Sequence, residues 1–304
     1  MNTPARTAIG VDVGGTNIRA ARIDASGSIL EHRIEKVERG REEFARQISA
    51  MVGGVKDASC IGVGVGIPGR VEAHHNRILS AGYLDIAGLD LVGLLDGTHG
   101  LPATLENDAL MALIAEVHWR PQLKDGLILM VTIGTGIGGA IVHDEMPWYG
   151  GGLAGQFGHI VVGNADGEPG DVRCNCGRYG CVETYSSGTA LRALIKQAGL
   201  PEDLRASDLL ARAQAGDSIA SDILDRWSVP FQRALETLTS AFDPRLIIIG
   251  GGLGEQMVQA LQRTEQRSAW FEVPVEAAIL KDDAGVIGAG LHCFPLSQRM
   301  AARA

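Results

Sequence analysis

Ala8-Ile9-Gly10-Val11-Asp12-Val13-Gly14-Gly15-Thr16-Asn17-Ile18-Arg19-Ala20-Ala21-Arg22-Ile23 decides the fold, because the chain repeats its pattern at 127–142, around Gly134-Thr135-Gly136-Ile137-Gly138-Gly139. In both places a short apolar run rich in β-branched residues enters a Gly/Thr tip, and a second run returns from it. That is the pattern of a β-hairpin. A strand, tip and strand occurring twice predicts an α/β protein made of two related halves. After the first hairpin, Asp24-Ala25-Ser26-Gly27 is turn chemistry, and 28–33 reads as a third strand. Phe44, Ile48 and Met51 or Val52 carry helical spacing over 42–52, closed by Gly53-Gly54. Further strands are expected at 61–67, before Pro68-Gly69, and at 103–106. Asn107-Asp108 can cap a helix over 109–119.

Proline, charge and glycine over 120–126 mark the expected boundary between halves. The first domain is expected at 1–119, rejoined by the C-terminal helix at 285–304, and the second at 120–284. Within the second, helices are expected at 189–198, 207–215 and 218–242, the last stopped by Asp243-Pro244. A strand at 245–249 runs into Gly250-Gly251-Gly252, and another helix and a strand at 277–280 follow.

The length of 304 residues excludes a mini-domain held by disulfides or a metal alone. A formal charge of −9 argues against phosphate-backbone binding, so nucleic acid is not an expected partner. With no apolar run near the roughly 20 residues of a membrane span, and no basic, apolar leader in 1–10, a cytoplasmic protein is expected. Three of the five cysteines crowd into Cys174, Cys176 and Cys181, a spacing suited to a metal rather than to disulfides. Cys60 and Cys293 stand in apolar contexts and read as core residues.

Paired Gly/Thr tips suit a polyphosphate: glycine lets backbone N–H groups approach phosphate oxygens, and threonine adds an uncharged donor. Asp12, at the end of the first strand, is placed to hold a hydrated Mg²⁺ beside those phosphates. A lone Gly14-Gly15 is an ordinary turn; the second copy and Gly250-Gly251-Gly252 favour phosphate. Neither tip is a P-loop, since no Gly-Lys-Ser/Thr follows, and 134–139 runs from strand to strand rather than into a Rossmann helix.

Taken together, Asp12-Val13-Gly14-Gly15-Thr16-Asn17, Gly66-Ile67-Pro68-Gly69, Glu106-Asn107-Asp108-Ala109, Gly134-Thr135-Gly136-Ile137-Gly138-Gly139, Gly155-Gln156-Phe157-Gly158-His159 and Cys174-x-Cys176-Gly177-x-x-Gly180-Cys181-x-Glu183 span almost the whole chain. In that order they resemble the bacterial ROK-family sugar kinases, within the sugar kinase, heat-shock protein and actin superfamily. The resemblance implies a two-domain actin-like ATPase (ribonuclease H-like) α/β fold with an interdomain cleft, and suggests a homodimer. It implies ATP at Asp12, Gly14, Gly15, Thr16, Asn17, Gly134, Thr135, Gly136 and Gly250-Gly251-Gly252. It further implies a sugar held by Gly66, Pro68, Gly69, Asn107, Asp108, Gln156, His159 and Glu183.

Asp108 is the expected general base, since transfer to a primary alcohol needs a carboxylate within reach of the hydroxyl, and its bland alternative is a helix cap. His159, Cys174, Cys176 and Cys181 make a Cys₃His set with no open position, so the expected zinc is structural. Two positions depart from the family pattern. Gln156 stands where most members have glutamate, and Tyr83-Leu84 where Asn-Leu is usual. An amide donates as well as accepts, and some N-acetylmannosamine kinases of the family also lack that glutamate, which tilts the expectation towards an N-acylamino sugar. Glucose, mannose, allose and fructose stay open. A sugar kinase acting on the 6-hydroxyl is the first function class, and a sugar-binding sensor or regulator without turnover the second. Helix-turn-helix regulators of the family differ in carrying a domain ahead of the first hairpin. Trp148-Tyr149 before Gly150-Gly151-Gly152 reads as packing, and the alternating charges of 31–43 as a solvated face.

Overall fold

A computed structural model describes residues 6–82, 84–152, 154–163, 166–167, 171–264, 269–295 and 298, so the Tyr83 departure lies outside the described residues. The chain opens with β1 (Thr7–Val13), β2 (Asn17–Asp24), β3 (Ile29–Lys36), α1 (Arg41–Val55) and β4 (Cys60–Ile67). A ribbon of β5 (Arg70–Glu72) and β6 (Arg77–Ser80) follows, then α2 (Leu91–His99), β7 (Ala103–Asn107) and α3 (Asp108–Trp119). Next come β8 (Leu127–Ile133), β9 (Ile137–His143), β10 (Met146–Pro147), α4 (Glu183–Ser186), α5 (Gly188–Gln197), α6 (Ala206–Gln214) and α7 (Ser218–Phe242). The described chain closes with β11 (Leu246–Gly250), α8 (Gly254–Leu261), β12 (Val275–Ala277) and α9 (Ala284–His292).

Two compact units result: Met1–Asp125 with Ile141–Ala154 and Asp282–Ala304, and Gly126–Ala140 with Gly155–Lys281. The segment 141–154, expected in the second half, thus packs with the first.

The first unit holds a sheet in the order β3-β2-β1-β4-β7. Its hairpin pairs antiparallel from Thr7↔Asp24 to Val13↔Ile18, while β4 and β7 join parallel to it. The second sheet repeats the order as β10-β9-β8-β11-β12, with β11 parallel to both β8 and β12. The sequence repeat is therefore a repeat of topology. Ile9, Val11 and Val13 alternate into one core with Phe44 and Ile48 of α1, all fully buried. On the other face lies α9, an Ala/Gly-rich helix buried from Ala284 to Leu291. It sits close because a side chain at Gly10 would strike the Val286 carbonyl, and one at Gly64 the Ala289 carbonyl.

Differences from expectation are local. Helix α1 runs through Gly53 and Gly54 to Val55, since Met51, Val52 and Val55 keep burying its apolar face. The strand expected at 277–280 is β12 at Val275–Ala277, after which Lys281 turns with φ +49°. Helix α2 and the β5–β6 ribbon were not anticipated. Helix α2 starts where the Asp90 carboxylate accepts the Gly93 N–H and ends at Gly100 with φ +62°.

Candidate functional site

In the first unit the expected residues converge on the ends of β1, β4 and β7. The hairpin tip closes by Gly14 N–H donating to the Asn17 carbonyl at 2.9 Å, with Gly15 and Thr16 exposed. Asp12, the penultimate residue of β1, pairs across the hairpin with Arg19. The Arg19 guanidinium lies 3.7 Å from the Asp12 carboxylate and 3.0 Å from Asp282. Sequence reasoning missed Arg19, although the antiparallel register of a hairpin with this tip puts it opposite Asp12.

Asn107 ends β7 and caps α3. Its Oδ1 accepts the N–H groups of Ala109 (3.0 Å) and Leu110 (3.3 Å), and its Nδ2 donates to the Gly69 carbonyl at 3.1 Å. Asp108 follows as the first residue of α3, its Oδ1 accepting the Ala109 N–H at 2.9 Å. Gly66 lies close beside it: an added Cβ would sit 3.4 Å from the Asp108 Cα, an ordinary contact, and 3.2 Å from the Met111 side chain, which would have to shift slightly. Pro68 is the half-buried residue between Ile67, the last of β4, and Gly69. Asn107 is therefore both the cap and the link to the Gly66–Gly69 turn.

Burial lifts the Asp108 carboxyl to about 7, and the negative charge of Asp12 adds to the lift, against hydrogen bonds from Ala109 and Asn107. Burial likewise raises Asp12 to about 6, with Arg19 pulling it back and Asp282 pushing it up. A carboxylate poised near neutrality at a fixed helix start is what general-base chemistry needs.

In the second unit two further groups form. The 134–136 tip is likewise closed by the N–H of its first glycine, but one residue tighter, with Gly134 N–H donating to the Gly136 carbonyl at 3.0 Å. The carbonyls of Gly134 and Thr135 accept from the Gly188 N–H (2.8 Å) and the Thr189 hydroxyl (2.8 Å) at the start of α5. Gly250 pairs with Thr132 across β11 and β8, and Gly251, at φ +79°, packs on the Ile133 backbone. Gly252 follows exposed, so both glycine segments expected at the nucleotide lie side by side.

His159, Cys174, Cys176 and Cys181 gather, their donor atoms all within 4.8 Å of one another. His159 Nδ1 stands 3.4 Å from Cys174 Sγ, and the Cys176 and Cys181 sulfurs are 3.5 Å apart. A bridge from Val161 to Cys181 and a turn closed by Gly177 N–H on the Cys174 carbonyl frame the cluster. Gly177 takes φ +89° in that turn, a conformation that favours glycine. Burial acts to raise the Cys176 thiol, yet hydrogen bonds from Arg178 and from the other two cysteines bring it down to about 7. Glu183 adjoins the cluster and the tip together: its Oε2 accepts the Ile137 N–H at 2.9 Å, and its Oε1 lies 3.9 Å from Cys174 Sγ. Gln156, half-buried, precedes the turn of helix carrying His159.

Fold and residues together define an α/β protein of the actin-like ATPase class, with carboxylates at the sheet end of one unit and paired glycine tips. A glucokinase from Streptomyces griseus, solved with glucose and AMPPNP, shares the fold with a TM-score of 0.78 at 29% identity, over 93% of this chain and 98% of that one. The ROK family model matches residues 8–292, and the chain belongs to the ROK family. Among its relatives, the glucokinase of Thermotoga maritima is 31% identical over 306 residues, covering 92% of this chain and 95% of the relative. The N-acetylmannosamine kinase of Yersinia pseudotuberculosis is 29% identical over 294 residues, covering 93% and 97%.

Proposed function

We propose that this ROK-family protein is an ATP-dependent sugar kinase, transferring the γ-phosphoryl group to the primary, 6-position hydroxyl of a hexose or N-acetylhexosamine. One observation carries the reading: Asp108, with its carboxyl near neutrality, stands at the start of α3 under the field of Asp12 and beside the Asn107–Gly69 link. Asp108 takes the hydroxyl proton as the sugar oxygen attacks the γ-phosphorus; the bond to the β-phosphate oxygen breaks and ADP leaves. Asn107, the Gly66–Gly69 turn, Gln156, His159 and Glu183 are the sugar contacts of this reading. Both tips and the Gly250–Gly252 turn are its ATP contacts. Because Gly14 and Gly134 use their own N–H groups to close the turns, the phosphate donors are the amides that follow them. Mg²⁺ bound with the nucleotide neutralises phosphate charge, and Asp12 is the residue that would hold it through water.

The Cys₃His set suits zinc, since the N···S separation of 3.4 Å and the S···S separation of 3.5 Å approach the roughly 3.6 and 3.8 Å edges of a tetrahedral site with nitrogen bonds of about 2.0 Å and thiolate bonds of about 2.3 Å. His159, Cys174, Cys176 and Cys181 would fill all four positions, which makes the role structural. With Nδ1 facing the thiols, His159 Nε2 is the ring atom available to a sugar hydroxyl. Among the described residues no helix is long and apolar enough to cross a membrane. A homodimer in the cytoplasm belongs to the same proposal, and light scattering at twice the chain mass is the check on the dimer. The activity is tested by coupled ADP release over hexoses and N-acetylhexosamines, with sugar-dependent ATP consumption expected; tight sugar binding without consumption would make the protein a sensor.

A further inference from the structure

Glu106 immediately precedes the Asn107–Asp108 pair and is 5% exposed. Its carboxylate is served by a residue 43 positions away: the Tyr149 hydroxyl donates to Glu106 Oε1 at 2.6 Å, and His292 Nε2 of α9 lies 3.8 Å from the same oxygen. Tyr149 belongs to Ile141–Ala154, the stretch of the second half that packs into the first unit. Its ring meets His74 edge-on, with centroids 5.1 Å apart and planes at 62°. His74 follows β5, which follows Gly69, and the Gly69 carbonyl is the acceptor of Asn107 Nδ2. The contacts form a closed circuit: Tyr149 to Glu106, along the backbone to Asn107, across to Gly69, along β5 to His74, and back to Tyr149.

We propose that Tyr149 and Glu106 form a positioning pair, in which the tyrosine hydroxyl holds the buried carboxylate and so fixes the end of β7 from which Asp108 is aimed. The proposal rests on Asp108 being the base. Neither residue of the pair touches the reacting atoms; the pair acts through the backbone of 106–108. An O–H to carboxylate bond of this length is among the stronger hydrogen bonds a protein makes, and a displaced catalytic carboxylate loses rate steeply with distance. The circuit braces the corner from both sides: the Gly69 carbonyl holds Asn107, and the tyrosine holds the residue before it, whose side chain leaves the strand on the opposite face. Burial, which raises the Glu106 carboxyl to about 7 against the Tyr149 hydrogen bond, makes that donor the more consequential.

Tyr149→Phe tests the pair, because it removes the hydroxyl while keeping the ring and its contact with His74. The turnover number is expected to fall about tenfold, with KM for sugar and ATP within about twofold and the melting temperature nearly unchanged. Glu106→Gln, which keeps a carbonyl acceptor for the hydroxyl, is expected to retain more turnover than Glu106→Leu. Tyr149→Phe added to Glu106→Leu is expected to lose nothing more. Unchanged turnover in Tyr149→Phe, a loss confined to KM or to stability, or additive effects in the double variant would overturn the pair. Asp108→Asn is measured alongside. If it is inactive while Tyr149→Phe is unimpaired, the pair alone fails; if it is active, the base assignment fails and takes the pair's purpose with it.

Discussion

Replacing Asp108 by asparagine should make the protein more stable and nearly inactive at once. The raised carboxyl means that the folded state resists ionising Asp108: burial and the Asp12 charge move it from 3.8 to about 7, a cost of about 4 kcal/mol for the ionised form in the limit of full transmission. Because the folded value lies above the unfolded one, the native protein keeps the proton longer, so stability declines as pH climbs from about 4 to about 7 and the whole cost is present beyond that. Asparagine carries no charge, and its Oδ1 can still accept the Ala109 N–H that Asp108 now binds at 2.9 Å. Hydration of a half-buried carboxylate absorbs part of the cost, leaving a net gain of about 1–3 kcal/mol at pH 8. Differential scanning calorimetry should show the variant melting a few degrees higher at pH 8, with the difference shrinking towards pH 4. Turnover should fall about 10²–10⁴-fold, the contribution of a general base, while calorimetric sugar affinity stays close to that of the parent. Full turnover in this variant, or an equal change in melting temperature at both pH values, would contradict the assigned role and its electrostatic origin.

With Asp108 near 7, kcat/KM for the sugar should drop roughly tenfold for each pH unit below the carboxyl's value, and a pH-independent rate between 5 and 8 would count against it. A methyl group at Gly285 would run into the Asp12 carboxylate, so Gly285→Ala should raise the KM for MgATP about tenfold with sugar affinity unchanged, as steady-state kinetics can report. Metal analysis should find about one zinc per chain, and Cys174→Ser should lose it together with several degrees of melting temperature. Gly64→Ala forces α9 off the sheet and should cost about 1–3 kcal/mol by denaturant titration, whereas Gly97→Ala, with nothing within 4 Å and a helical position, should gain about 0.5–1 kcal/mol.

What could be read without coordinates was whatever local chemistry dictates. The two hairpins followed from β-branched runs around Gly/Thr tips, α3 from the cap at Asn107 and α7 from its stop at Asp243-Pro244, whereas the Asp217 cap that starts α7 shows only in the structure. Helix α2 escaped because Gly93 and Gly97 dilute its pattern, and its start depends on the Asp90 cap. The Cys₃His cluster was legible as a donor set through its cysteine spacing. That Glu183 links the cluster to the Ile137 amide was not, since that contact joins positions 46 apart. Tyr149 read as packing, yet its hydroxyl is bound to Glu106, a partner that only the placement of 141–154 against the first unit supplies.

The decisive measurement is sugar-dependent ADP release by the purified protein with MgATP, followed by NMR location of the phosphate on the product, run beside Asp108→Asn. Phosphate on the primary hydroxyl of a hexose or N-acetylhexosamine, lost in the variant, is the predicted result. ATP consumption indifferent to every sugar, or a phosphorylated product formed equally well without the Asp108 carboxylate, would contradict it.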